Sequence, residues 1–207
     1  MALTGRPTVQ TLAALAVVFL LQQLAGLFGA LEGILFVLYG PVGDRPWALV
    51  TSVYAHADLP HLLGNAIALA VVGPLVARRT TTLRFHIFFV VTGALAGVGE
   101  IVVGGLLGPP RGVLGASGAV LALLGYLLAG NAVSTRLLDR LTLSPRAQLV
   151  VFGTVVIGLT LATSGPGSAV LGHATGLAIG LAAGRLRLLD TRAGRAGRRD
   201  SDSSGFA

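Results

Sequence analysis

The sequence predicts an all-α, polytopic membrane protein: a six-transmembrane-helix bundle with both termini on the cytoplasmic side. Three observations lead there. Of 207 residues, 54% are hydrophobic and 11% charged, with a mean hydropathy of +0.83. A soluble domain carries about a quarter charged residues to solvate its surface. Six stretches are apolar over roughly the 20 residues that a helix needs to cross a bilayer core. The basic residues, all fifteen of them arginine, fall between those stretches and mostly on one side. A water-soluble monomer is thereby excluded.

The predicted spans cover about 9–31, 58–77, 83–107, 115–132, 147–163 and 168–187. The first follows Arg6 but is too long for a signal peptide's apolar region, so it reads as a retained span. The connection 32–57 contains Gly33-Ile-Leu-Phe-Val-Leu-Tyr39, too short to cross, and then Trp47. Flanking Tyr and Trp suit a loop embedded in the outer leaflet. Thirteen of the fifteen arginines share one side, leaving Arg45 and Arg111 opposite. The positive-inside rule assigns the arginine-rich side to the cytoplasm. The predicted organisation is a short N-terminus at 1–8, a membrane domain at 9–187 and a basic, disordered tail at 188–207. A pI near 11.4 does not imply nucleic acid, because a basic binding face needs a soluble fold to carry it. With no cysteine there is no disulfide framework and no thiolate chemistry.

Polar groups inside hydrocarbon are expensive, so those within spans are functional candidates. They are His61 and Asn65 in the second span, Glu100 in the third, Ser117 in the fourth and His173 in the sixth; His56 lies just before the second. Spans two, four and six run in the same direction. At 1.5 Å per residue His61, Asn65, Ser117 and His173 all lie within roughly 3–12 Å of the outer end. His61 and Asn65, at i and i+4, share one helix face. Ser117 sits in Gly115-Ala-Ser-Gly118 where a helix starts, and a helix N-terminus suits a developing oxyanion. After His173, the stripe Gly176, Gly180 and Gly184 permits close helix contact. If it packs near Gly118 and Gly125, His173 reaches Ser117. Each motif alone has a structural reading: a serine bonding a carbonyl, a packing stripe, a histidine bridging helices. Together, at one depth, they describe a serine–histidine nucleophilic site with an oxyanion pocket.

These residues resemble the rhomboid intramembrane serine proteases. The matching motifs are His56-x4-His61-x3-Asn65, Gly115-Ala-Ser117-Gly118 and Gly172-His173-Ala-Thr-Gly176-Leu-Ala-Ile-Gly180, with Trp47 and Thr51 in the first loop. The resemblance implies Ser117 as nucleophile and His173 as general base, a dyad without a carboxylate. It implies His61, Asn65 and the Ser117 N–H as oxyanion donors, and His56, Gly115, Gly118 and Gly176 as structural residues beside the site. It implies transmembrane protein substrates cut near their outer ends, a cell-membrane location with the site near the extracytoplasmic face, and no cofactor or metal. Three positions depart from the family pattern: Leu121 replaces an aromatic residue one turn after the serine, Ala77 a glutamate, and Ala48 an arginine. Glu100 has two readings, a third member orienting the imidazole or a hydrogen-bonded acid between helices. The rival functions are a metal site on His56, His61 and His173, a client-binding relative that does not cut, and a small transporter.

Overall fold

The computed structural model describes residues 6–108, 111–130, 147, 150, 154 and 169–191. Among these the chain is helical, and the only paired extended backbone is an isolated antiparallel bridge between Leu38 and Val113. Helix α1 is Arg6–Gly26, α4 is Leu59–Ala77, and α5 is Thr82–Gly99. The last continues through a π-helical turn, Glu100–Gly104, and a final turn, Gly105–Leu107. These three helices are long and apolar enough to cross a membrane. Helices α6, Ser117–Gly130, and α7, Val170–Arg185, follow the fourth and sixth predicted spans. The fifth predicted span lies outside the described residues except for positions 147, 150 and 154.

The first loop is more structured than its composition implied. It holds two short helices, α2 at Leu31–Phe36 and α3 at Ala48–Tyr54, with a 3-10 turn at Val42–Asp44 between them. Trp47 Nε1 donates to the Ile34 carbonyl at 3.1 Å, and Thr51 Oγ1 donates to Leu35 O, so α3 is hydrogen-bonded back onto α2.

Local chemistry starts the long helices. Asp58 caps α4 by accepting from His61 N at 2.7 Å, and Leu59-Pro60 opens the first turn, where a missing N–H costs nothing. Thr81 caps α5 by accepting from Arg84 N. Inward faces then meet in one core of Leu15, Leu69, Val76, Phe85, Phe89, Leu123 and Tyr126, all almost fully buried. The opposite faces stay apolar: Val17, Leu20 and Leu24 on α1, and Leu63, Ile67 and Val71 on α4, are each at least half exposed. An apolar stripe four residues apart on an outer face belongs against lipid.

Helices α6 and α7 form the closest-packed pair among the described residues. A Cβ on Gly176 would overlap the Gly118 carbonyl, one on Gly180 would overlap Ala122, and one on Gly125 would come 2.6 Å from Leu177 O. Backbone therefore lies on backbone along the whole seam. At the other end of α7 the chain does not leave the bundle. Leu189 and Asp190 are buried, Tyr126 Oη donates to Asp190 Oδ1 at 2.6 Å, and Thr191 N donates to Arg79 O at 3.0 Å. The first residues of the predicted tail are thus folded onto α6 and the turn that follows α4.

Candidate active site

Ser117 is the first residue of α6, and the turn before it is built by glycine. Gly115 has φ +126°, a left-handed region closed to most side chains, and its N–H donates to Ser52 O at 2.8 Å. The His61 ring lies against it, where a Cβ would come 2.8 Å from Cε1. Ala116 O accepts from Val120 N at 2.9 Å, which begins the helix and leaves the next N–H groups facing outward from its positive end.

His173 stands in the first turn of α7, 56 residues on in sequence, yet its Nε2 is 2.8 Å from Ser117 Oγ. The glycine seam accounts for that distance. Gly176, one turn after His173, lies on the Gly118 carbonyl, one residue after Ser117. A side chain at Gly176 would move the two groups apart, and one at Gly118 would meet Ala96 on α5. Across from them, His61 and Asn65 on α4 line the same cleft of about 810 Å³ as Ser117, Leu121 and His173. The four polar residues expected at one depth therefore share one cavity. Asn65 Nδ2 donates to His61 O, its own helix's backbone, at 3.1 Å. Leu121 lines the cleft where the family pattern carries an aromatic ring, and Ala77 and Ala48 are both buried.

His56 sits behind the Ser117 loop rather than in the cleft, fully buried. Its Nδ1 is 3.1 Å from the Tyr54 carbonyl, which only accepts, so that nitrogen carries the proton. Nε2 is then the acceptor, facing Ala116 N at 3.5 Å, the long end of hydrogen-bond reach. Burial, aided by the neighbouring His61, holds the imidazole neutral and pushes its pKa down to about 4. The His56 backbone N–H donates to Gln22 Oε1 at 2.9 Å, and Gln22 Nε2 donates to Glu32 Oε1 at 2.7 Å. A polar chain thus runs from α1 and the first loop to the residue before Ser117.

Sequence reasoning missed Gln22 and Glu32, although an amide in an apolar span is itself a signal for a partner. The His86 ring also bridges helices, with Nε2 3.0 Å from Gln10 Oε1 and Nδ1 3.4 Å from Thr11 Oγ1 on α1. Glu100 lies beside α7, where its Oε2 accepts from Gly172 N at 2.8 Å. Among the described residues no three His, Asp or Glu side chains converge as a metal site.

Comparison with known families matches a Rhomboid domain over residues 43–189. No curated protein matches the chain. The matched region holds α3 through α7, including His56, the cleft and the serine–histidine contact. With more than two thirds of its length matching that domain, this multi-pass membrane protein belongs to the rhomboid family, whose members are generally intramembrane serine proteases.

Proposed function

We propose that the protein is an intramembrane serine endopeptidase that cleaves transmembrane segments of membrane proteins near their outer ends. The observation that supports this best is the 2.8 Å contact between His173 Nε2 and Ser117 Oγ at a helix N-terminus, inside a cleft shared with His61 and Asn65.

In this reading His173 accepts the Ser117 hydroxyl proton as Oγ attacks the scissile carbonyl. The carbonyl oxygen takes the negative charge and meets the Ser117 N–H, His61 and the second N–H of Asn65 Nδ2. Loss of one such donor typically costs about 2.7–4 kcal/mol. The tetrahedral intermediate collapses, the C–N bond breaks, and the imidazolium protonates the leaving amine. Water then attacks the serine ester, His173 again takes the proton, and the acid is released with Ser117 restored. Six spans, cytoplasmic termini and a site near the extracytoplasmic face of the cell membrane complete the reading; a site at that depth can be reached by water.

The test is labelling of purified, detergent-solubilised protein with a fluorophosphonate, beside Ser117→Ala and His173→Ala. Wild type is expected to label and both variants to lose labelling. An unlabelled but folded wild type would overturn the proposal and favour a rhomboid-like protein that binds membrane clients without cutting them.

A further inference from the structure

Helix α7 carries His173 but does not cap itself. Its N-cap position is Ala169, which has no side-chain acceptor, and the first bond within the helix is His173 N to Ala169 O at 2.9 Å. The N–H groups ahead of His173 have no acceptor in their own helix. Gly172 N finds one across the bundle, in Glu100 Oε2 at 2.8 Å.

Glu100 reaches that point because α5 widens there. The π-helical turn Glu100–Gly104 adds a residue to the helix, a device common at functional sites. Small residues clear the approach. A Cβ on Gly172 would come 3.1 Å from Ala96 O, one on Gly99 would come 2.6 Å from Thr175 Oγ1, and one on Gly104 would come 3.1 Å from Glu100 Oε1. An acid in a span is costly, and here it meets the positive end of a helix, which offsets part of that cost.

We propose that Glu100 is a positioning residue: by accepting the Gly172 N–H it fixes the first turn of α7, and so holds the His173 imidazole against Ser117. This rests on the reading of Ser117 and His173 as a working pair. Glu100 bonds the backbone N–H of the residue before His173. It sets the axial place of the turn that carries His173, and a displacement of about 1 Å at such a contact can cost on the order of 100-fold in rate.

The experiment uses the full chain in liposomes with a single-span substrate, comparing wild type, Glu100→Ala and Glu100→Gln below their unfolding temperatures. Glutamine keeps a carbonyl oxygen for Gly172 N–H and alanine does not. Glu100→Ala is expected to lower kcat and fluorophosphonate labelling by about tenfold or more with KM unchanged, and Glu100→Gln to stay within about threefold of wild type. Should alanine prevent folding, Glu100→Asp, one methylene short of Gly172, replaces it with the same expectation. Alanine at wild-type kcat overturns the proposal, as does glutamine as slow as alanine, which would make charge rather than the acceptor the active feature. A wild type that neither labels nor cleaves overturns the protease reading and this one with it.

Discussion

The α6–α7 seam and the shell around His56 both fix Ser117, but by opposite means. The seam works by removing atoms: Gly125, Gly176, Gly180 and Gly184 let two backbones touch, and the serine–histidine distance follows from that contact. The shell works by adding polar partners, with Gln22, Glu32 and His56 linked in a chain that ends near Ala116 N. Steric contact is steep and insensitive to solution conditions, whereas a hydrogen-bonded imidazole can be titrated. The two supports should therefore fail differently.

The largest effect belongs to the seam. Gly176→Ala adds one methyl where the Gly118 carbonyl already lies. Separation of the helices is expected to cost about 1–3 kcal/mol of stability, read by thermal unfolding in detergent. The rate of labelling by the fluorophosphonate should fall by on the order of 100-fold. Labelling at the wild-type rate would show that the seam does not set the Ser117–His173 distance.

The shell should yield to pH. A histidine titrates near 6.5 when unfolded, while His56 in place titrates at about 4 because it is buried. Between those values the unfolded chain binds the extra proton, so stability is present above about 6.5 and is lost as pH falls toward 4. The full loss is about 3 kcal/mol. His56→Gln should remove most of that slope and cost about 1–3 kcal/mol at neutral pH. Unfolding midpoints for both proteins at pH 7.5, 6 and 4.5 would check this; parallel curves would assign the acid sensitivity elsewhere.

The smallest effect on activity lies at the opposite end of the same helices. Tyr126→Phe removes the hydrogen bond to Asp190. Stability should drop by about 1–2 kcal/mol with labelling unchanged. A matching loss of labelling would mean that the far end of the seam, and not only its first turn, governs the site.

The sequence made the spans and the candidate dyad legible because both depend on local facts. Apolar run length places α1, α4 and α5, and small residues four apart identify the face of α7 that meets α6. Shared depth along their spans groups His61, Asn65, Ser117 and His173, which line one cleft. What stayed hidden depends on a partner distant in sequence. Gln22 looks like its neighbour Gln23 until the first loop folds back and places Glu32 and the His56 N–H beside it. Glu100 kept two readings because run length cannot show a π-helical turn, nor that α7 begins at a residue unable to cap it. The two short helices of the first loop were likewise masked, since Thr51 and Trp47 are satisfied by carbonyls 16 and 13 residues away.

The glycine seam also divides the chain by what each position tolerates. Along α4, Leu63, Ile67 and Val71 face outward, and one apolar side chain there serves as well as another. At Gly176 and Gly180 the requirement is for nothing at all, and alanine, the mildest replacement elsewhere in a helix, is already too large. In a scan of all single substitutions these two faces would stand at opposite extremes, one permissive to every hydrocarbon and the other closed to the first carbon. A library that varied the lipid-facing surface freely would leave the Ser117–His173 contact intact; one methyl on the seam would not.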